Sequence, residues 1–413
     1  MALVLLVVVS ATGSTPPAPA PSAPQAPPAP SAATAPPAPS AASGRPAAPA
    51  DLTPIVASIR ERHDVPALAA VVVTTDAIDA IGFSGVRTRG DADAIRPSDR
   101  FHLGSCTKAM TATLAAILVA DGSIRFESTV GEVIGDAVPS IDPSWKDVTL
   151  EELLRHCGGA PANPAPQRWA MAWACKQAVR ECRREFMASM LSQPIAQPRG
   201  TTVYSNEGYT LAGMMLEQAA GRDYEELVME RLLRPLGITS AGFGPTPEAS
   251  GHGADGTPKN GDNPSAITPA GRVHMTLEDW SKFISLHLRR EKCDGIPLDR
   301  AAFDRLHSLL ATAPAAPRSA DGASPAPASA ASAPREGMAM GWIVAQRGWG
   351  GRVLTHAGSN TLWYCVAWVA PDKGFAVIAA ANQGGDAGAK ACDEACTMAI
   401  ANLVARRSLP RSP

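Results

Sequence analysis

A chain of 413 residues, 45% of them hydrophobic, can bury one large core or two ordinary ones. Its formal net charge of −2 leaves no basic footprint for nucleic acid and no attraction to an anionic membrane. Eight cysteines without a C-x-x-C pair, and no H-E-x-x-H helix, exclude the common zinc patterns, so no metal or cofactor is expected.

Residues 1–9 form a short apolar run, too short to span a bilayer as a helix. It resembles the h-region of a signal peptide over residues 1–11, with Val9-Ser10-Ala11 as a small-residue cleavage site. No Lys or Arg precedes Arg45, so the positive n-region is missing. Export to the periplasm or outside the cell is the expectation. Residues 12–50 are almost entirely Pro, Ala, Ser and Thr, a composition that cannot offset its ordering entropy and predicts a linker. A similar stretch at 311–334 predicts a low-complexity surface insertion in a folded domain running from 51 to 407.

Asp51 is placed to cap a helix with Leu52, Ile55, Val56 and Ile59 on one face, stopping near Val65-Pro66. Leu68–Thr74 reads as a buried strand and residues 80–86 as its partner. Helical patterns dominate from Thr107 to Leu310. Strand patterns return at 340–346, 353–356, 363–370 and 375–380, and a last helix spans 389–405. Strands at both ends with helices between them predict an α+β fold. One antiparallel sheet is built from the N- and C-terminal segments and flanked by helices, with a mainly helical region beside it and a cleft along the seam. Cys175 and Cys182 are either small buried side chains or, in an exported protein, a disulfide. Cys392 and Cys396 share a helix face with poor disulfide geometry and are expected to pack inward with Ile400 and Leu403.

Three short motifs carry chemistry. In Phe101-His102-Leu103-Gly104-Ser105-Cys106-Thr107-Lys108, a helix begins and places Lys108 one turn after Ser105 on the same side. A serine hydroxyl needs a base, and a lysine can be that base if burial and the helix N-terminus lower its pKa. Tyr204-Ser205-Asn206 supplies a phenol that could ionise beside a lysine ammonium, and an amide to bind a substrate carbonyl. His356-Ala357-Gly358-Ser359 follows a short strand. The glycine would let a substrate backbone approach, and the Ser359 amide could complete an oxyanion hole with that of Ser105. Cys106 is a weaker nucleophile candidate with no base in sight. No G-x-S-x-G occurs, so an α/β-hydrolase elbow is absent.

The order S-x-x-K, Y-x-N, H-x-G resembles the serine β-lactamase and penicillin-binding protein superfamily, and more closely its class C-like branch with esterases and D-Ala peptidases. Val148–His156, Tyr209–Gly213 and Arg234–Ile238 add phrases of the same family. The resemblance covers residues 51–405 and implies the same sheet-plus-helix fold. It implies Ser105 as the acylated nucleophile, Lys108 and Tyr204 as shared general base, and Asn206 as substrate-orienting. His356, Gly358 and Ser359 would form the edge strand that binds substrate. Three departures stand out. His356 replaces the usual lysine, Ala357 replaces a hydroxyl residue, and Cys157-Gly158 stands where Thr-Ser is frequent. The first two weaken carboxylate binding and favour esterase or peptidase chemistry over β-lactam hydrolysis. The expectation is a serine hydrolase of a small ester, D-peptide or β-lactam. The alternative is a cell-wall peptide or β-lactam binding protein acylated without turnover. Neither a nucleic-acid partner nor a stable membrane span is expected, and the sequence leaves the oligomeric state open.

Overall fold

The run Ala-Leu-Ala-Ala-Val-Val-Val-Thr has no polar residue before its last position, as expected of a strand covered on both faces. In the computed structural model, which describes residues 48–309 and 336–408, it is the strand Ala67–Thr74. Leu68, Ala70 and Val72 face one apolar layer, while Ala69, Val71 and Val73 face the other. The strand lies inside a sheet of eight. Across the sheet the order is Ala50–Asp51, Ile78–Gly85, Ala67–Thr74, Phe375–Ala381, Tyr364–Ala370, Gly351–Ser359, Ile343–Arg347 and Gly337–Met338. Only the edge pair Ala50–Asp51 with Ile78–Gly85 is parallel; the other pairs are antiparallel. The two ends of the chain therefore build one sheet, as the patterning predicts.

One face is covered by the helix Thr53–Arg62 and the C-terminal helix Gly385–Ser408. Ala391, Ala395 and Ala399 are buried, and these small side chains let the helix sit low on the strands. Cys392 and Cys396 pack inward with Ile400 and Leu403. The other face carries the helix Leu277–Arg289 and the helical region that contains Thr107–Ala120 and Asn206–Ala220.

The structure differs from the sequence expectation in local ways. Asp51 is part of a strand, and Leu52 stands at the cap position of Thr53–Arg62; the Asp51 carboxylate still accepts from the Thr53 N–H at 2.8 Å. The helical stretch contributes Val273–Met275 and Gly242–Phe243 to a small sheet completed by Phe101–His102 just before it. Strands of two or three residues show no period to read. The leader at 1–11, residues 12–47 of the linker and the insertion at 311–334 lie outside the described residues. No described helix is long and apolar enough to cross a membrane.

Candidate active site

The strand Phe101–His102 delivers the chain to the sheet, where Gly104 turns it with φ +46° into a single 3-10 turn, Gly104–Cys106. The α-helix proper starts after Ser105, at Thr107, and every residue from Thr107 to Leu118 is buried. Ser105 therefore sits on a sharp turn anchored by a core helix. A Cβ on Gly104 would lie 2.4 Å from the Ser359 nitrogen, and one on Gly358 would lie 2.0 Å from the Leu103 carbonyl oxygen. Two glycines thus let the turn and the strand Gly351–Ser359 touch. Glycine at 358 answers to the nucleophile turn, where the sequence reading had given it to a substrate backbone.

Lys108 is fully buried. Its Nζ lies 3.0 Å from Ser105 Oγ, 2.7 Å from Asn206 Oδ1 and 2.7 Å from the Ala270 carbonyl oxygen. Burial lowers its pKa to about 7, from an ordinary value of 10.5. A neutral amine has two hydrogens and one lone pair. Asn206 and Ala270 accept the two hydrogens, so the lone pair falls toward the Ser105 hydroxyl. That is the arrangement a base for Ser105 needs.

Tyr204 packs its ring 4.8 Å from Lys108 Nζ, with its hydroxyl on the side of Ser105. Burial pushes the phenol well above its ordinary pKa, more than Ser105 lowers it. Burial therefore favours the neutral phenol of Tyr204 beside the lysine. His156 holds it in place. The His156 ring stacks on Tyr204 at 4.4 Å, and its Nδ1 accepts from the Ser205 backbone N–H at 3.0 Å. Burial, with Lys108 and His356 nearby, keeps His156 neutral, its pKa well below the usual value. Ser205 then caps the helix Asn206–Ala220 through its Oγ, which accepts from Gly208 N at 3.0 Å. That cap sets the direction of Asn206 at the first helical position.

The His356 Nδ1 is 2.7 Å from the Ala357 carbonyl, which can only accept, so Nδ1 carries a proton. The ring centre is 6.1 Å from that of Tyr204. Cys106 turns away from Ser105. Its Sγ donates to the His356 carbonyl at 3.4 Å and lies 3.6 Å from Cys365 Sγ. It is buried beside Cys365, with its sulfur engaged by His356 and Cys365.

Asn206 opens onto a cleft of about 470 Å³, whose walls include Trp169, Asn263, Ile267, Gly271 and Asn360, with Ser359 at the sheet edge. Among the described residues, no formally charged side chain lines it. Trp169 belongs to the helix Pro166–Ala174, which the sequence did not connect to the site. Two ties hold that helix. Arg168 pairs with buried Glu207, and Cys175 is disulfide-bonded to Cys182 of the helix Val179–Leu191. Ala270 was also missed, since it acts through a backbone atom that no side-chain motif records.

A serine paired with a buried lysine on a core helix, facing a sheet edge, defines a class of active-site serine proteins. The chain belongs to the beta-lactamase family, whose model matches residues 52–395. It is 27% identical over 255 residues to Penicillin-binding protein 4 of Amycolatopsis lactamdurans, covering 59% of this chain and 63% of that one. It is 26% identical to Lovastatin esterase of Penicillium rubens, covering 43% and 49% respectively. In both cases the match spans less than two thirds of the relative. The fold is similar to that of a class C beta lactamase from Rhodobacter sphaeroides, with TM-score 0.65 and 18% identity, covering 84% of this chain and 97% of that one. Members of this family include esterases and carboxypeptidases.

Proposed function

We propose that this chain is a serine hydrolase that cleaves a small ester or peptide bond through an acyl-Ser105 intermediate. The observation that carries it is the Lys108 amine, held by two acceptors with its remaining position 3.0 Å from Ser105 Oγ. In acylation, Lys108 Nζ takes the hydroxyl proton as Oγ attacks the substrate carbonyl carbon. The backbone N–H groups of Ser105 and Ser359 hold the oxyanion in this reading, and the close approach of Gly104 to Ser359 supports it. The proton then passes through the Tyr204 hydroxyl to the leaving alcohol or amine. A neutral phenol suits this relay, because it gives one proton as it takes another. Water attacks the acyl group in the second half, with the same groups acting in reverse.

The lining of the cleft bears on the substrate. His356 stands in place of a lysine and, among the described residues, the walls carry no charged side chain to pair with a substrate carboxylate. This favours a neutral acyl group over a β-lactam. Export is part of the proposal, and the Cys175–Cys182 disulfide supports it, because such bonds persist in oxidising compartments. Cell fractionation tests export; a protein found wholly in the cytoplasm overturns it.

The test of the activity is an intact-mass time course with p-nitrophenyl butyrate, a fluorophosphonate and benzylpenicillin, each beside Ser105→Ala. The expected result is ester turnover and fluorophosphonate labelling in the wild type alone. A penicillin adduct that persists would point to a protein acylated without turnover. If wild type and Ser105→Ala behave alike with every probe, the proposal fails.

A further inference from the structure

Asp262 ties together the two halves of the Ser105–Lys108 pair, although it touches neither. The backbone N–H of Gly104 donates to His102 Nδ1 at 3.1 Å. An N–H can only donate, so Nδ1 holds a lone pair and the ring proton sits on Nε2. That proton faces Asp262 Oδ1 at 2.6 Å. The same oxygen accepts from the Asn263 N–H at 2.6 Å, and Asp262 Oδ2 accepts from Arg272 Nε at 2.8 Å. Asn263 Nδ2 donates to the Gly271 carbonyl at 2.8 Å. Gly271 and Arg272 directly follow Ala270, whose carbonyl holds Lys108.

The side chains of His102 and Asp262 are almost completely buried, at 0% and 3% exposure. A carboxylate in such a place is costly unless its acceptor sites are filled. Here His102, Asn263 and Arg272 fill them, and each leads toward the site. The imidazole has a particular use. A carboxylate bonds donors only, whereas a histidine whose Nε2–H is engaged presents an acceptor on its far side. Asp262 thus fixes the tautomer, and the tautomer fixes the Gly104 turn.

We propose that Asp262 and His102 are positioning residues for acyl transfer at Ser105, one carboxylate setting both the Gly104 turn that carries the nucleophile and the 270–272 segment that holds the base. The pair does not act as an acid or base on substrate, because His102 Nδ1 is bonded to a backbone N–H and Nε2 to Asp262. The inference rests on the reading of Ser105 as nucleophile. Its physical content is that the Ser105–Lys108 distance depends on two backbone segments far apart in sequence. A misplacement of about 1 Å can cost on the order of a hundredfold in rate.

The test uses the full chain with p-nitrophenyl butyrate for steady-state kinetics and a fluorophosphonate for labelling by intact mass. Three variants are compared: Asp262→Asn, His102→Asn and His102→Leu. Asp262→Asn is expected to lower kcat and the labelling rate by about 10- to 100-fold, with KM little changed. His102→Asn sets an amide oxygen near the place of Nδ1 and keeps an acceptor for Gly104. His102→Leu keeps the apolar bulk and no acceptor. His102→Asn should therefore recover rate that His102→Leu loses, which a role in packing alone would not produce. Rates are scaled to the folded fraction by circular dichroism, and if Asp262→Asn does not fold, the two His102 variants decide. Equal losses in both His102 variants, or wild-type labelling by folded Asp262→Asn, would overturn the proposal. Failure of the underlying reading looks different: wild type takes no probe mass, or Ser105→Ala takes it equally fast.

Discussion

The Arg168 guanidinium meets both carboxylate oxygens of Glu207, at 2.9 and 3.2 Å, with the carboxylate fully buried. Glu207 follows Asn206, which accepts from Lys108 Nζ, and Arg168 precedes Trp169, which walls the cleft. One ion pair therefore joins the segment that holds Lys108 to the wall of the cleft. Burial pushes the Glu207 carboxyl upward, and Arg168 opposes that shift. Arg168→Met should cost about 3 kcal/mol or more in urea unfolding, because it strands a buried carboxylate. Replacing both, with Arg168→Met and Glu207→Leu, should restore much of that stability. Equal stability of the single and double variants would show that the pair is uncoupled.

Lys108 predicts the pH dependence. Only the neutral amine has a lone pair for Ser105, so kcat/KM for p-nitrophenyl butyrate should rise with pH, reach half its limit near about 7, and then level off. Lys108→Arg should be inactive across the range, since guanidinium stays protonated. Stability follows the same group. Between a folded value of about 7 and the ordinary 10.5, the unfolded chain binds a proton that the folded chain does not. The lysine's contribution to stability therefore rises with pH in that window and is least favourable below it. The difference in urea midpoint between wild type and Lys108→Met should shrink as pH rises; a pH-independent difference would contradict the burial of a neutral amine.

Gly358→Ala should damage both stability and activity. The added methyl would sit 2.0 Å from the Leu103 oxygen and 2.9 Å from the Cys106 nitrogen, both backbone atoms that cannot swing aside. Overpacking of this kind costs about 1–3 kcal/mol or more. The turn that carries Ser105 must shift, so the loss in kcat should exceed that expected from the unfolded fraction alone. A fully active, stable Gly358→Ala would show that the turn and strand are not in contact.

The disulfide gives a chemical prediction. In denaturant without reductant, thiol titration should find six reactive cysteines, since Cys175 and Cys182 are paired and the other six are free. Cys175→Ser with Cys182→Ser should lose about 2 kcal/mol by the loop-closure relation. KM should rise for esters long enough to reach Trp169, and change less for an acetyl ester.

The sheet and the three motifs could be read because their signals are local. Ser105 and Lys108 are one helical turn apart, and the run at 67–74 is apolar on both faces. What escaped depends on distance or on backbone. The Ala270 carbonyl has no side-chain signature. Residues 102 and 262 are 160 positions apart and meet only through the fold. The two-residue strand at 101–102 is too short for a period. The upward push on the Tyr204 phenol comes from burial, which proximity to a lysine does not reveal. The bond between Cys175 and Cys182 was one of two open readings, and nothing in spacing alone could choose between them.

Lys108 is held by one amide side chain and one main-chain carbonyl, and the cleft beside them is also walled by Trp169, Ile267 and Asn360 on separate segments. For a protein engineer this is a useful division of labour. Randomising the three wall positions alters what fits while leaving both acceptors of the lysine in place. Selection for new acyl groups can then proceed while Asn206 and the Ala270 carbonyl, which also border the cleft, keep their hold on Lys108.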